Sequence, residues 1–289
     1  MPTLWVVGTP IGNLSDLSER AIETLKESSL ILCEDTRRTA QLCQKIGIKK
    51  PLERLDRFTE KKKTQVILER ILSGDRVSIV SDAGTPCISD PASYLVDCAQ
   101  REGIKVVPIP GASAVLGLMS ASGFSENEFT FRGYFPRKRS EQEEELKKAY
   151  HSQVSNIFVW FESPLRILKA LECIAELYPD CRAVAGKEMT KIYERFFYGN
   201  AQEVFEKVKQ ECKENGERGE WSFALHFINK SSQSLEGQNI LSVECEKFVS
   251  VLIQMEIPLS EITKHASHIF GIRKNDVYEF ALNKKKQKK

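Results

Sequence analysis

Short apolar runs alternate with helical stretches along the first third of this sequence, and this alternation constrains the fold more than any other feature. Short apolar runs occupy positions 3–8, 30–33, 77–80 and 105–109, and the run at 77–80 is rich in β-branched residues. Short apolar runs of this kind are typical of strands that are covered on both faces. Strands that alternate with helices predict a parallel sheet with right-handed crossovers.

Loops that contain glycine and proline follow three of these runs, at 9–13, 81–88 and 110–114. The carboxyl ends of parallel strands share one edge of a sheet, so we expect the three loops to form a single cleft. Asp82 and nearby backbone amides are placed to bind the polar part of a ligand. Asp90 and Pro91 are predicted as the N-cap and first residue of a helix from about Ala92. Taken alone, this stretch favours an ordinary strand–turn–helix connection.

The alternation restarts after a helical run near residues 114–121. Strand-like segments follow at 129–135, 156–161, 182–185, 193–198 and 221–228. Domain boundaries are predicted near 112–120 and near 229–240. Ser, Gln, Gly and Asn accumulate at the second of these boundaries. The predicted class is therefore α/β, with an N-terminal α/β domain on a parallel sheet (1–114) and a C-terminal α/β domain on a mixed sheet (115–230). A small helical unit at 240–289 is predicted to follow.

Two helices of this pattern carry more specific predictions. The helix at 61–72 is expected to carry Val66, Ile67, Ile71 and Leu72 together on one apolar face. A charged helix at 140–149 is expected to begin with a capping box formed by Ser140 and Glu143.

The last fifty residues differ from the rest because they have helical spacing throughout and a basic end. Residues 240–289 hold nine Lys and Arg against six Asp and Glu, and five of the final six residues are lysines. A basic tail is commonly just a solvated chain end. Beside a helical unit of helix-turn-helix character, contact with RNA phosphates is the competing interpretation.

Composition excludes several classes of protein. The net charge of +2 argues against a surface that coats nucleic acid along its length. Eight cysteines without a C-x-x-C pair predict buried thiols in a reducing cytoplasm, and no metal site. We find no signal peptide and no apolar run long enough to span a membrane. P-loop, G-x-G-x-x-G, H-E-x-x-H and G-x-S-x-G patterns are absent, and His226, in an apolar strand, is expected to be a core residue.

Eight short motifs occur in a fixed order between residues 3 and 228. They are Thr9–Leu14, Cys33–Arg37, Val80–Pro86, Ile88–Pro91, Pro110–Ala114, Gly133–Lys138, Glu162–Pro164 and Glu188–Lys191. Together they resemble the tetrapyrrole-methylase-like (class III) methyltransferases, and within them enzymes that methylate the ribose 2′-hydroxyl of a cytidine in small-subunit ribosomal RNA. The resemblance implies S-adenosyl-L-methionine as cofactor, that RNA as partner, a homodimer and a cytoplasmic location.

The resemblance also implies roles for individual residues. The cofactor is expected between the two α/β domains, against Pro10, Gly12, Asn13, Ser81, Asp82, Ala83, Gly84, Ile88, Ser113 and Ala114. The catalytic candidates are Glu34, Asp35, Glu162, Glu188 and Lys191, with a structural salt bridge as the alternative for each carboxylate. The RNA-binding candidates are Arg37, Arg137, Lys138, Arg139 and Arg166.

Three positions depart from the family's pattern. The segment Arg54–Glu60 lacks two histidines that are usual there, Leu165 stands in place of a histidine, and Lys187 in place of an arginine. We therefore expect cofactor binding to be retained while substrate or rate differ. Two alternatives stay open: a tetrapyrrole-type small-molecule methylase, which would not need residues 240–289, and a non-catalytic ribosome-associated protein.

Overall fold

Five parallel strands form the first sheet of the computed structural model, which describes residues 1–228, 243–255, 257–270, 272 and 274–286. They are β1 (Thr3–Val7), β2 (Leu30–Cys33), β3 (Leu52–Arg54), β4 (Val77–Val80) and β5 (Lys105–Ile109). Their order is β3-β2-β4-β1-β5, with every neighbouring pair parallel. The predicted parallel sheet is confirmed.

Helices cover both faces of this sheet, as parallel connections require. They are α1 (Glu19–Glu27), α2 (Thr36–Lys45), α3 (Glu60–Leu72) and α4 (Ser93–Arg101), with a short 3-10 turn at Leu14–Asp16. One core joins the sheet to α3 and α4 and includes Leu32, Ile79, Leu68 and Leu95. The other lies toward α1 and α2 and includes Ile31 and Leu25.

The predictions for α3 and α4 were wrong in detail. The buried positions of α3 are Glu60, Thr64, Ile67, Leu68 and Ile71, which follow the i, i+3, i+4 spacing of one helix face. Val66 and Leu72 flank that face and are 59% and 50% exposed.

Asp90 is not the N-cap of α4. Ala92 holds that position with a left-handed φ of 94°, and its own side chain makes no capping hydrogen bond. The turn between Cys87 (φ 70°) and Ala92 delays the helix, so Asp90 stays in the preceding loop. Buried Glu60 instead accepts a hydrogen bond from the Leu95 amide, at 3.0 Å.

The second sheet is mixed, as predicted. Its strands are β6 (Phe129–Tyr134), β7 (Ile157–Glu162), β8 (Arg182–Lys187), β9 (Arg195–Asn200) and β10 (Trp221–His226), in the order β6-β7-β10-β8-β9. Only β6 and β7 pair in parallel. Helix α5 (Ala114–Ala121) packs on one face, and α6 (Arg139–Tyr150), α7 (Ile167–Leu177) and α8 (Ala201–Asn215) pack on the other.

The predicted capping box of α6 is wrong. Lys138 is the N-cap, without a side-chain hydrogen bond. Glu143 pairs with Arg139 at 2.8 Å instead, because both lie one turn apart on the exposed face.

The chain divides into two compact units, Met1–Ile228 and Asn229–Lys289. The second contains α9 (Val243–Gln254), α10 (Leu259–Phe270) and α11 (Lys274–Lys286), packed around a core of their own that includes Cys245, Ile262 and Val277. The predicted polar boundary at 229–240 and the last three residues of the basic tail lie outside the described residues. No described helix is both long enough and apolar enough to cross a membrane.

Candidate active site

The three loops predicted to meet at the sheet edge do meet there, because β4, β1 and β5 are adjacent. Thr9 and Gly84 exchange backbone hydrogen bonds of 2.8 and 3.1 Å, which join the first loop to the second. The first and third loops touch at Gly8 and Gly111, where a Cβ on either glycine would come within 3 Å of the other's backbone. The convergence of the loops is confirmed.

A cavity of about 390 Å³ opens above these loops, within the range typical of small-molecule sites. Its floor is made of small residues, including Ala83, Gly84, Ser113 and Ala114. Gly84 has a φ of +84°, which an L side chain rarely adopts. The opposite wall comes from the second sheet and its loops: Tyr134, Phe161, Glu162, Ser163, Pro164, Met189, Gly219, Glu220, Trp221 and Ser222.

Six of the ten predicted cofactor residues line this cavity. They are Asp82, Ala83, Gly84, Ile88, Ser113 and Ala114. Ser81 lies beneath the floor and donates to the Gly84 carbonyl at 3.0 Å. Their binding role stays a prediction.

The loop at 10–13 contributes differently from the prediction. Ile11 lines the cavity, whereas Pro10, Gly12 and Asn13 do not. Gly12 and Asn13 instead lie against the turn after β8. The Asn13 amide donates to Thr190 Oγ1 at 3.1 Å, and a Cβ on Gly12 would fall 2.3 Å from Lys191 Cγ. This contact joins the two halves of the first unit beside the cavity.

Glu162 is the one predicted catalytic residue that lines the cavity. Burial raises the pKa of its carboxyl, although the Ser163 amide and Arg166 act in the opposite direction. Its Oε1 accepts from the Ser163 amide at 2.7 Å and contacts Arg166, while its buried Oε2 has no hydrogen-bond partner among the described residues. A buried acceptor without a partner is costly and marks a place for a ligand group or water.

The other catalytic candidates do not line the cavity. Asp35 caps α2 and pairs with Arg37, whose hydrogen bonds hold the Asp35 pKa below its usual range. Glu34 lines a separate void of about 10 Å³ that also touches Asp90. Glu188, in a left-handed conformation (φ 50°), pairs with Lys191 at 2.8 Å.

Several polar residues of the cavity were missed as site residues, among them Asp90 and Tyr134. Asp90 was assigned to a helix cap, yet it lines the cavity, and burial together with Glu34 and Asp82 raises its pKa. Asp90 could have been predicted as a site residue, because it lies in the loop after the carboxyl end of β4, where ligands bind in such sheets. Tyr134, the last residue of β6, also lines the cavity, and burial raises its pKa.

The predicted RNA-binding cations do not form one cluster of free charges. Arg37 pairs with Asp35, Arg166 contacts Glu162 and Ser163, and Arg139 pairs with Glu143 and Glu176. Lys138 pairs with Glu141 at 3.3 Å. Arg137 is exposed and has no charged partner within the described part of the chain. The exposed pairs of Arg37, Lys138 and Arg139 are weak enough for phosphates to compete with them, whereas the partner of Arg166 is buried.

Comparison with known proteins identifies the family. The model of the Tetrapyrrole (Corrin/Porphyrin) Methylases matches residues 3–204. The fold is shared with diphthine synthase (TM-score 0.60, 18% identity, 78% of this chain and 89% of that one). It is also shared with a Thermus thermophilus uroporphyrin-III C-methyltransferase in complex with S-adenosylhomocysteine (TM-score 0.51, 15% identity, 77% and 96%). The chain belongs to the tetrapyrrole methylase family, as the eight motifs predicted.

Relatives with much higher identity define the branch. A Pseudomonas aeruginosa protein named ribosomal RNA small subunit methyltransferase I is 35% identical over 98% of this chain and 97% of its own length. The Escherichia coli O157:H7 protein of the same name is 34% identical over 96% and 94%. The Thermotoga maritima protein of that name is 44% identical and is matched over 94% of its length by 72% of this chain. Within the family, this chain falls in the branch that bears that name.

Proposed function

We propose that this protein transfers a methyl group from S-adenosyl-L-methionine to the 2′-hydroxyl of a cytidine ribose in small-subunit ribosomal RNA. The observation that carries the proposal is the match to relatives of that name over nearly the whole of both chains. The specific nucleotide and the 2′-oxygen rest on the family resemblance of the eight motifs.

The residues of the cavity fit this cofactor. Backbone at Ala83–Gly84 and Ser113–Ala114 offers close approach to a flat adenosine, and Asp82 and Asp90 supply acceptors for hydroxyl or ammonium groups. Ile11, Phe161 and Met189 supply apolar contacts. When bound, the cofactor supplies a methyl group already activated by its positive sulfur.

The chain's own task is to place the ribose oxygen and accept its proton. Alignment in a closed site supplies much of the rate enhancement in such reactions. Glu162 is the proposed base, because it borders the cavity and has a buried oxygen without a partner among the described residues. Burial raises the pKa of its carboxyl, which makes its carboxylate a stronger proton acceptor than an exposed one. The O–H bond of the ribose breaks, and its proton passes to the Glu162 carboxylate.

The proposal also covers the oligomeric state of the protein and its location in the cell. We expect a homodimer located in the cytoplasm, where small subunits are available. A monomeric mass in light scattering would contradict the first expectation.

Mass spectrometry of small-subunit rRNA from a strain that lacks the gene tests the function. We expect one methylated cytidine to be absent and to return with the wild-type gene, but not with Glu162→Gln. General-base loss commonly costs 10²–10⁴-fold in rate. Unchanged rRNA would refute the proposal. Methyl transfer to a tetrapyrrole would identify the small-molecule methylase, and rRNA binding without transfer would identify the non-catalytic homologue.

A further inference from the structure

The turn between β3 and α3 carries an exposed aromatic ring inside a basic segment. Phe58 is 90% exposed, more than any other aromatic residue that the structure describes. The segment Arg54–Lys63, called here the β3–α3 corner, holds five cations and two carboxylates. One of the carboxylates, Glu60, is buried and binds the Leu95 amide. The corner therefore presents an aromatic face among mostly positive charges.

The corner is rigid although its surface is exposed. Asp56 accepts hydrogen bonds from the amides of Phe58 (3.0 Å) and Thr59 (2.9 Å). Leu55 is buried, and its amide donates to the Cys33 carbonyl at 2.8 Å. An exposed aromatic on a fixed turn loses little conformational entropy when it stacks on a partner.

The corner is also connected to the cavity. Arg57 donates to the carbonyl of Ser89, which lines the cavity, and its charge acts on Asp90. Strand β3 lies two strands from β4, about 10 Å by ordinary strand spacing. Both turns lie at the carboxyl edge of the same parallel sheet, so the corner borders the side of the cavity that Ser89 and Asp90 line.

We propose that the β3–α3 corner binds the single-stranded RNA that flanks the methyl acceptor, with Phe58 stacked on one base and Lys62 contacting a phosphate. Stacking on aromatic side chains beside cations is the common mode of single-strand binding. Lys62 has no partner among the described residues, which leaves its charge available. This inference rests on the proposed function, since it names RNA as the occupant.

The test measures binding and methyl transfer with small ribosomal subunits from a strain lacking the gene. Phe58→Ala is expected to weaken subunit binding and raise KM roughly 10-fold, while kcat and S-adenosylmethionine affinity stay within about 2-fold. Phe58→Trp is expected to retain binding. Lys62→Gln should reduce the slope of log K against log salt by about 0.7, the value for one contact to a single strand.

The matched control is Val154→Ala, because Val154 is also apolar and 77% exposed but lies just before the amino end of β7, whereas Glu162 of the cavity wall is the last residue of that strand. Equal subunit affinity for Phe58→Ala and Val154→Ala would overturn the inference. A molar mass of Phe58→Ala in light scattering that differs from the wild type would also overturn the inference, because it would place the Phe58 ring in a contact between copies of the chain. If the wild type binds subunits without transferring methyl, the proposed function fails, and the binding comparison still decides the role of Phe58.

Discussion

Asp90 gives the cavity a pH dependence that can be measured. Burial raises its pKa, Glu34 and Asp82 raise it further, and Arg57 and Ser81 act in the opposite direction. The folded protein therefore keeps this proton to higher pH than the unfolded chain does, and stability falls as pH rises through that window. We expect Asp90→Asn to gain stability relative to wild type as pH rises above about 4, the ordinary pKa of an aspartate.

Thermal unfolding followed by circular dichroism at several pH values checks this expectation. Asp97→Asn on α4 is the control, because Asp97 forms an exposed pair with Arg101 and should change stability by only about 0.5 kcal/mol at any pH. A lower Tm for Asp90→Asn at neutral pH would contradict the account.

Gly8 lies at the base of the cleft, where only a residue without a side chain fits against the neighbouring backbone. A Cβ there would lie 2.8 Å from the Gly111 backbone, which cannot move without separating β1 from β5. We expect Gly8→Ala to lower the free energy of unfolding by about 2 kcal/mol, the usual scale of overpacking. Denaturant unfolding measures it.

Gly117→Ala serves as the control for Gly8→Ala. Gly117 lies in α5, where a Cβ would meet only Met189 Sδ at 3.9 Å, so the same substitution should be neutral or gain up to about 1 kcal/mol. Equal effects at the two positions would contradict the close-approach argument.

At the scale of elements, a buried ion network connects three neighbours of the second sheet. Glu211 on α8 binds Lys187 of β8 at 2.7 Å and also pairs with Arg195 of β9. Burial alone would raise the Glu211 pKa, but the hydrogen bond and charge of Lys187 and the charge of Arg195 lower it. The carboxylate therefore stabilises the fold above its ordinary pKa, and this stability is lost as pH falls through the depressed value.

Glu211→Gln is expected to lower the free energy of unfolding by about 3 kcal/mol, since it leaves the buried Lys187 charge without its counter-ion. Glu203→Gln, in an exposed pair with Lys207 on the same helix, should cost no more than about 0.5 kcal/mol. Chemical denaturation of both variants at neutral pH checks the difference, and equal losses would mean that the network contributes nothing specific.

Sequence periodicity predicted where the strands and helices lie better than it predicted where the helices begin and which of their faces are buried. The strands at 30–33, 77–80 and 105–109 appear where the apolar runs predicted them, because covered strands depend mainly on local composition. The predicted start of α4 was wrong, because Ala92 adopts a left-handed φ at the N-cap, and an alanine gives no local signal for that conformation. On α3, Leu68 was missed and Val66 misplaced, because adjacent apolar residues leave the centre of the buried face ambiguous.

For the molecule as a whole, half of the site could be derived from the sequence. Topology alone places the loops after β1, β4 and β5 together, since the parallel order of strands fixes which ends are neighbours. On the opposite wall, Glu162 was predicted only through the family resemblance. Tyr134, Met189 and Ser222 could not be derived, because they reach the cavity only through the packing of the second sheet against these loops. No local pattern encodes that approach.

Residues 1–228 should fold and bind cofactor without the C-terminal helices. Both α/β cores lie within this unit, and the Thermotoga maritima relative is matched almost completely by 212 residues of this chain. We expect the truncated protein to unfold cooperatively and to bind S-adenosylhomocysteine within about 2-fold of the full chain by calorimetry. An aggregated product, or one that folds without binding, would mean that residues 229–289 complete the site.

A crystal structure of the protein with S-adenosylhomocysteine tests the central claim most directly. The account predicts the ligand against the backbone of Ala83–Gly84 and Ser113–Ala114 on one side and Met189 on the other, with its sulfur turned toward the space beside Glu162. Ligand bound elsewhere, or a cleft closed by side chains at saturating ligand, would contradict the claim that these three loops form a cofactor site.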